Sequence, residues 1–435
     1  MRAKDRIIVA LDVDSLEKAE ALVMALAPHV GCFKVGLELL TAVGAPKVVE
    51  FVHSLGGQIF YDGKLHDIPN TVAKAAKAIA GFKVRMFNVH ASSGLDGMQA
   101  AVDNRGGSQV LAVTVLTSHE ENNAHCIFGA PSKAKVIQFA RDAKLAGCDG
   151  IVCSPQELTL LGKQKELAGL LKVTPGIRSP DDPKDDQNRT LSPREAILAG
   201  ADYLVIGRPI TAAADPVAAA KLIADEVFEG LKERFHMTLF GLTKIKFGAF
   251  RLKLHETNPT APLSPIYLDI RKLPESAYVL AGDILHELSV RQGIVDFDYV
   301  IGIPKAGEPI GQAFAKAVGK PHLRVEKIEE AGGRHISTNI LDPFEPGKRV
   351  VIVDDLVTKS HTKREAIRTV ESNGLKVDAT FVLYDREQGG LAELNAEGQK
   401  VVAASGLTGT LDFFVRQKKI DSAKKEEVLA YVAAN

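Results

Sequence analysis

The first half of the chain alternates short apolar runs with amphipathic segments. Eight runs rich in β-branched residues have the length of buried strands: "RIIVALDV" (6–13), "CFKVGLE" (32–38), "QIFYDGKL" (58–65), "MFNVHAS" (86–92), "QVLAVTVLT" (109–117), "GIVCS" (150–154), "LKVTPGI" (171–177) and "YLVIGRP" (203–209). Segments between them, such as "TVAKAAKAIAGF", space their apolar residues as a helix does. Eight such units within roughly 230 residues predict a (β/α)8 TIM barrel with parallel strands. A doubly wound open sheet is the alternative, but no GxGxxG sequence follows the first strand.

The pattern changes near residues 228–248, where "FEGLKERFHMTLFGLTKIKFG" predicts a helix that continues into a new unit with little linker. Beyond it a helix is predicted over "SAYVLAGDILHELSVRQG" (276–293). Strand-like runs recur at longer intervals: "SPIYLDIR" (264–271), "FDYVIGIP" (297–304), "RVVIVDD" (349–355), "KVDATFVLYD" (376–385) and "QKVVAAS" (399–405). They predict a second, open-sheet α/β domain, with domain boundaries at 1–230 and 231–435.

Composition agrees with two domains, because 435 residues are too many for one ordinary core. Lys+Arg and Asp+Glu are equal at 54 each, so no positive excess favours a nucleic-acid or membrane-surface partner. The longest apolar runs are strand-length, and the first residues enter a strand at once. We therefore expect no membrane span and no cleavable signal. The cysteines lack paired metal spacing, which favours a reducing cytoplasm: Cys32, Cys126, Cys148 and Cys153.

Polar side chains gather at the predicted carboxyl ends of separate barrel strands. They are Asp12, Lys34, Asp62, Lys64, His90, Thr117, Arg178 and Arg208. Any one of them alone would be an ordinary surface residue. Barrels of this kind build their active sites at this end, so residues from so many strands predict one shared site.

The stretch "FYDGKLHDIPNT" (60–71) closes the third strand with three charges. In isolation such charges favour a solvated, self-paired strand end. Because side chains alternate along a strand, Asp62 and Lys64 point to the same side, next to Lys34 of the neighbouring strand. With Asp67 in the loop, we predict an alternating Lys–Asp–Lys–Asp array whose members stay ionised through their opposite neighbours. Such an array can stabilise a carbanion while a carboxylate departs, and proton donation by Lys64 would complete a decarboxylation without a cofactor.

Two later loops predict a phosphate site. "VTPGIRSPDDPKDDQNR" (173–189) and "GADYLVIGRPI" (200–210) contain the turns after strands seven and eight, where barrels of this class hold phosphate. Gly176 and Gly207 permit close backbone approach, and an arginine in each loop can donate two hydrogen bonds. A lone "PGIR" would predict only a turn with a surface arginine.

The motifs "FYDGKLHDIPNT", "VTPGIR…DDQNR" and "GADYLVIGRPIT" resemble the signatures of the orotidine 5′-phosphate decarboxylases over essentially all of residues 1–230. The resemblance implies cofactor-free conversion of orotidine 5′-phosphate to UMP and CO₂, with no metal in the barrel. It implies catalytic roles for Lys34, Asp62 and Lys64, with Lys64 as the proton donor. Asp67, also catalytic, and Thr71 match residues that the family sends into the partner subunit's site, which implies a homodimer or higher homo-oligomer.

The same resemblance implies the substrate contacts. Asp12 matches the ribose-hydroxyl contact and Thr117 the base contact. The phosphate ligands match Arg178, Gln187, Gly207 and Arg208. Related sugar-phosphate decarboxylases share the D-x-K-x-x-D pattern and rely on Mg²⁺, but they lack the long "DDQNR" loop and are a distant second possibility.

The second half contains "VVIVDDLVTKSHTKREAI" (350–367), an apolar strand that ends in Asp354 and Asp355 and is followed by a hydroxyl-rich turn. Adjacent carboxylates can contact a ribose diol and its metal. The hydroxyls of the turn can hold a 5′-phosphate, and they belong to Thr358, Ser360 and Thr362. A strand with a charged exit and capping hydroxyls explains the motif about equally well.

The sequences "IKFGAFRLK", "SPIYLDIR", "FDYVIGIP" and "VLYDREQGG" resemble the orotate phosphoribosyltransferases over about 240–420. The resemblance implies orotate and phosphoribosyl pyrophosphate as substrates, Mg²⁺ as cofactor and Lys253 as a site residue. The two halves together resemble a bifunctional UMP synthase of inverted domain order.

The second half also departs from its family. The turn "TKSHTK" carries Lys359 and His361 where the family has small residues, which would crowd a phosphate. In the loop "LRVEKIEEAGGRHIS" (323–337), the positions of the family's basic cluster are occupied by Val325, Glu326 and Glu329, and compensation would have to come from Lys327, Arg334 and His335. An anion beside the leaving pyrophosphate is repulsive. The alternative is therefore an active decarboxylase fused to a degenerate transferase that serves in oligomerisation or regulation.

Overall fold

A computed structural model of the chain describes residues 1–119, 121–178, 190–251, 258, 260–330 and 333–434, with side chains outside 327–338. The chain divides into two compact units. Ala3–Gly230 form the first unit, and Leu231–Asn435 with Met1–Arg2 form the second.

The described part of the first unit contains a closed barrel of eight parallel strands. The strands are β1 Ile7–Leu11, β2 Cys32–Val35, β3 Ile59–Leu65, β4 Met86–His90, β5 Gln109–Val113, β6 Gly150–Val152, β7 Leu171–Thr174 and β8 Tyr203–Ile206. They follow one another in chain order, and β8 closes the barrel on β1 with Leu204 opposite Ile7. Every residue of β1 and β8 is buried, because helices cover parallel strands on the outer face. The predicted barrel is confirmed.

Helices connect the strands of the first unit. Those described are α1 Leu16–Leu26, α2 Leu37–Val43, α3 Ala45–Ser54, α4 Pro69–Gly81, α5 Gly94–Asp103, α6 Glu121–Phe128, α7 Ser132–Leu145, α8 Leu158–Gly162, α9 Pro193–Ala199, α10 Arg208–Thr211 and α11 Pro216–Gly241. Helix α4 begins with proline, whose fixed φ suits a first turn, and it buries Val72, Ala76 and Ile79 at helical spacing. Helix α11 contains the chain position where the apolar pattern changes, so the predicted continuous helix is confirmed.

Strand β3 departs from regular pairing at its carboxyl end. Tyr61 pairs with Phe87, but the next paired residue is Leu65, opposite Val89. Two extra residues of β3 therefore fall between these pairs, as in a β-bulge. Lys64 has φ of +49°, in the left-handed region that non-glycine residues rarely adopt. At Gly63 a Cβ atom would lie 2.4 Å from Tyr61 Cε1, so glycine leaves room for that ring.

The second unit has a five-stranded parallel sheet and two antiparallel pairs. Its described strands are β9 Ile245–Phe250, β10 Ser264–Leu268, β11 Tyr299–Gly302, β12 His322–Leu323, β13 Val325–Glu330, β14 Gly333–Ile340, β15 Arg349–Val357, β16 Lys376–Asp385 and β17 Val401–Gly406. The sheet order is β12-β11-β15-β16-β17, and the pairs are β9-β10 and β13-β14. The predicted open α/β domain is confirmed.

Helices flank this sheet. They are α12 Glu275–Arg291, α13 Gly307–Val318, α14 His361–Ser372, α15 Gly390–Ala396 and α16 Leu407–Arg416. A further helix, α17 Ser422–Ala434, packs against β10 and α16. One core cluster joins the sheet to α14 and includes Ile301, Ile352, Ile367 and Val370. The hydroxyl-rich turn after β15 thus lies at the carboxyl edge of a parallel sheet, where open α/β folds bind ligands.

Candidate active site

A cavity of about 510 Å³ opens at the carboxyl ends of the barrel strands. Its polar lining residues are Asp12, Lys34, Asp62, Lys64, Asn88, Thr117, Arg178 and Arg208. Seven of these residues were predicted from strand ends alone. The eighth prediction, His90, is half-buried beside His66 and is not among the residues that line this cavity.

Four charges of alternating sign contact one another inside the cavity. Lys64 Nζ lies 2.8 Å from Asp62 Oδ1. Lys34 Nζ lies 3.3 Å from Asp62 Oδ2 and 2.9 Å from Asp12 Oδ1. Asp62 therefore accepts a different ammonium group on each of its two oxygens.

Burial and charge act in opposite directions on this array. Burial alone would lower the pKa of Lys34, but Asp62 and Asp12 outweigh it and raise the pKa above its ordinary value. This outcome fits the magnitudes, because two unit charges 4 Å apart attract by about 4 kcal/mol at an effective dielectric constant near 20. Lys34 is thus held as a cation beside a carboxylate whose side chain is only 9% exposed.

The fourth charge of the predicted array is not supplied within one chain. Asp67 is exposed, its Oδ1 accepts the Ile68 N–H at 2.7 Å, and it does not line the cavity of its own chain. Thr71 is also exposed, in the first turn of α4. Both residues are predicted to reach a partner subunit's site, so their roles stay predictions. Within the chain, Asp12 supplies the second acidic contact to Lys34.

The described residues of the predicted phosphate loops also line the cavity. Gly176, Arg178, Gly207 and Arg208 all line it. Gly176 has φ of +81°, a conformation that glycine adopts at little cost. Two arginines and two glycine turns in one cavity form a receptor for an anion. Gln187, the remaining predicted ligand, lies outside the described residues.

Asn88 was missed by the sequence analysis. It lies in the middle of β4, is 1% exposed, and its side chain contacts both Asp62 and the backbone of Lys64. A polar residue inside the otherwise apolar run "MFNVHAS" was the available signal, since a buried amide needs partners.

The second unit has its own candidate site at the carboxyl end of β15. Asp354 is buried, its Oδ1 accepts the Asp355 N–H at 2.9 Å, and its Oδ2 lies 2.6 Å from Lys363 Nζ. Lys363 also donates to the Leu356 carbonyl. Burial, with the Asp354 charge next in importance, raises the pKa of Asp355 to about 8. Lys363 was not predicted, and it neutralises the first acid of the pair.

The hydroxyl-rich turn is only partly arranged as predicted. Ser360 is buried, and its Oγ donates to Glu393 Oε2 at 2.6 Å instead of remaining free for a phosphate. Thr358 and Thr362 are half-buried. The bulky residues that were expected to crowd a phosphate, Lys359 and His361, are exposed.

Arg386 follows strand β16, and its backbone lies beside the end of β15. The backbone N–H of Arg386 donates to the Val357 carbonyl at 3.0 Å. Its Nη2 atom is buried and has no hydrogen-bond partner among the described residues. Burial lowers the pKa of Arg386. A desolvated guanidinium with a free N–H can receive an anion such as a carboxylate.

The described residues on either side of the predicted loop's tip, Val325–Glu330 and Gly333–Ile340, form the β13-β14 pair. Val325 is buried in the core cluster, so it does not face a ligand, whereas Glu326 is exposed. The predictions for Lys253, and for the side chains of Lys327, Glu329, Arg334 and His335, lie outside what the structure describes.

The acid pair does not fit direct ligation of Mg²⁺, since both oxygens of Asp354 are already engaged and the raised pKa of Asp355 disfavours its charged form. The described residues contain no group of three or more His, Cys, Asp or Glu side chains that could hold a metal ion. They also include no helix with the length and apolar character needed to cross a bilayer.

Similarity to known proteins follows the two units. Residues 5–223 match the orotidine 5′-phosphate decarboxylase / HUMPS family, and residues 278–402 match the phosphoribosyl transferase domain. Orotidine 5′-phosphate decarboxylase of Moorella thermoacetica is 47% identical over 240 residues, covering 52% of this chain and 94% of that protein. The enzyme of that name from Heliobacterium modesticaldum is 44% identical over 247 residues, 54% of this chain and 100% of that protein.

A solved structure of Leishmania donovani UMP synthase covers 100% of this chain and 98% of its own, with a TM-score of 0.54. At 24% identity this likeness concerns the fold. The family match covers half of the chain, and the decarboxylases are similar over nearly their whole length. The chain therefore belongs to the orotidine 5′-phosphate decarboxylase / HUMPS family through its barrel, and it carries a phosphoribosyl transferase domain in its second half.

Proposed function

We propose that the barrel converts orotidine 5′-phosphate to UMP and CO₂, the decarboxylation step of pyrimidine biosynthesis. The observation that carries this proposal is the array in which Asp62 accepts Lys34 and Lys64 on separate oxygens at 3.3 and 2.8 Å. The curated relatives named as this decarboxylase support the same substrate.

The chemistry follows from the charges. Decarboxylation breaks the bond between the pyrimidine C6 atom and the carboxylate carbon, and the bonding electrons stay on C6. Asp62 repels the substrate carboxylate, while the ammonium of Lys64 stabilises the charge that develops on C6. Lys64 then donates its proton to C6, which gives UMP. Fixed charges supply the stabilisation, so no cofactor is required.

The groups that contact the phosphate, the ribose and the base supply binding energy. Arg178 and Arg208, with the backbone at Gly207, would hold the 5′-phosphate, Asp12 the ribose hydroxyls and Thr117 the base. Binding energy from these remote groups can hold the carboxylate against Asp62 despite their repulsion. Gln187 is proposed as a further phosphate ligand.

We propose that the active assembly is a homodimer or a higher homo-oligomer. Asp67 and Thr71 are exposed in their own chain, next to the array in sequence, and are available to a second subunit. Each site would then be completed by Asp67 of the partner. The four cysteines are free thiols, which suits a reducing cytoplasm.

The metal-dependent sugar-phosphate decarboxylases remain the second candidate for the barrel. Their chemistry requires a carboxylate that is open to a divalent cation. Here both oxygens of Asp62 are occupied by ammonium groups, so a cation would have to displace a half-buried lysine. This competition favours the cofactor-free reaction.

For the second unit we propose transfer of a phosphoribosyl group from phosphoribosyl pyrophosphate to orotate, the reaction that supplies the barrel's substrate. Asp355 would contact the ribose diol, and Thr358 and Thr362 the 5′-phosphate. The unpartnered Nη2 of Arg386 would take the orotate carboxylate. Lys253 is a further proposed contact. Any Mg²⁺ would be bound by the phosphates of the substrate.

A degenerate transferase is less well supported, because residues 278–402 match the transferase domain and the crowding residues of its turn are exposed. The test uses the full chain. Orotate, phosphoribosyl pyrophosphate and Mg²⁺ should yield UMP, and orotidine 5′-phosphate alone should yield UMP and CO₂. Decarboxylation without use of orotate would identify the degenerate form. Absence of both reactions from a folded chain would refute the proposal.

A further inference from the structure

The segment that carries Asp62 and Lys64 lies where strand β3 departs from regular pairing with β4. Between Tyr61 and Leu65, strand β3 has two more residues than its partner β4, so Asp62, Gly63 and Lys64 have no regular place in the ladder. Lys64 is also held at φ of +49°. A non-glycine residue keeps this conformation only where its surroundings enforce it.

Asn88 supplies contacts that the ladder does not. Its Oδ1 accepts the backbone N–H of Lys64 at 2.7 Å. Its Nδ2 donates to Asp62 Oδ1 at 2.6 Å, the same oxygen that accepts Lys64 Nζ. One side chain therefore holds both the backbone of Lys64 and the carboxylate to which its ammonium is bound.

Hydrogen bonding fixes the orientation of this amide. If the amide were turned over, its NH₂ group would face the Lys64 N–H, and its oxygen would face a carboxylate. A donor would then face a donor, and an acceptor would face an acceptor. Because Asn88 is almost fully buried, water could not compensate for either mismatch. The amide must donate to Asp62 and accept from Lys64.

We propose that Asn88 is a positioning residue for decarboxylation, which keeps Asp62 and Lys64 aligned at the reacting carbon. The inference rests on the proposed function of the barrel. Asn88 acts through these two residues, so its loss should lower kcat and leave the affinity for UMP nearly unchanged, since UMP has no carboxylate to align. Displacement of a catalytic group by about 1 Å can cost about 10²-fold in rate.

The decisive variant is Asn88→Asp, which keeps the shape of the side chain and replaces the donor to Asp62 with an acceptor. We expect kcat to fall about 100-fold, with the Kd of UMP within about threefold of wild type. Asn88→Ala, which removes both hydrogen bonds, should give a similar loss. Ser108→Ala is the matched control, because it removes a buried hydrogen bond to the Val84 carbonyl on residues that do not line the cavity. It should retain kcat.

The outcomes separate the two proposals. If wild type decarboxylates and Asn88→Asp keeps kcat within threefold, the positioning role is refuted and the function stands. If both Asn88 variants lose as much UMP affinity as kcat and also lose thermal stability, Asn88 has a purely structural role. The positioning role is then refuted as well. A folded wild type without decarboxylase activity would refute both proposals.

Discussion

Replacing Lys64 with alanine removes the ammonium group that lies 2.8 Å from Asp62 Oδ1. Two contributions to catalysis are lost together. General acid catalysis is typically worth about 10²–10⁴-fold in rate. The charge itself, if about 4 Å from the carbanion at an effective dielectric constant near 20, contributes about 4 kcal/mol, or about 10³-fold. Lys64→Ala should therefore lower kcat by at least about 10⁵-fold.

Binding should respond differently. Lys34 remains beside Asp62 at 3.3 Å and keeps that carboxylate paired, so the cavity should retain its shape. In the proposed function UMP is held through its phosphate, ribose and base, so we expect its Kd to change less than about tenfold. Calorimetric titration with UMP measures this affinity, and single-turnover CO₂ release measures the chemical step. Lys172→Ala, at the amino end of β7 and outside the cavity, is the matched lysine control.

Two results would contradict this reasoning. Near-normal turnover in Lys64→Ala would show that the proton comes from elsewhere. Loss of UMP binding equal to the loss of turnover would show that Lys64 maintains the cavity instead of stabilising the transition state. In either case the assignment of the array as the catalytic centre would be wrong.

Three further predictions concern other parts of the chain. Mixed Asp67→Ala and Lys64→Ala subunits should recover up to about a quarter of wild-type decarboxylase activity, because random exchange makes about half of the dimers heterodimers and each of these has one intact shared site; no recovery after verified exchange would contradict a shared site. Arg386→Ala should lower orotate phosphoribosyl transfer about 10–100-fold, the usual range for a lost charged hydrogen bond, while the barrel's decarboxylation serves as internal control; unchanged transfer would rule out the carboxylate contact. Burial lowers the pKa of His236, which is hydrogen-bonded to Tyr384, to about 3, so below pH 6.5 the unfolded chain binds a proton that the folded chain does not, and stability should fall by up to about 1.4 kcal/mol per pH unit. Denaturant unfolding at several pH values between 7 and 5 measures this loss, and the free energy of unfolding should change less with pH in His236→Gln than in wild type. An equal pH dependence in the two proteins would contradict this assignment.

Sequence periodicity predicted the barrel because its strands are buried on both faces. Such strands appear as unbroken apolar runs, and the first polar residue after each run marks its carboxyl end. Since all parallel strands end at the same face, residues as distant in sequence as Asp12 and Arg208 could be assigned to one cavity without knowing any distance.

The details of the array required coordinates. Strict alternation correctly placed Asp62 and Lys64 on one side, but the strand reaches this arrangement through two extra residues and a left-handed Lys64, which no periodicity indicates. The contact between Asp12 and Lys34 depends on the register of β1 and β2, in which Ala10 lies opposite Lys34. Asp67 is closer in sequence to the array, but it lies in the loop between β3 and α4, where its side chain is exposed.

Lys363 shows that a missed residue can still leave a signal in the sequence. Helix α14 buries Ala366, Ile367 and Val370, and Lys363 precedes them at positions i, i+3, i+4 and i+7 of the same face. A lysine on an apolar helix face cannot remain charged without a partner, so this spacing alone predicts a buried acid nearby. The adjacent strand ends in two acids, and Lys363 pairs with the first of them, Asp354. The helix spacing and the acidic strand end together therefore indicate this buried ion pair without knowledge of any distance.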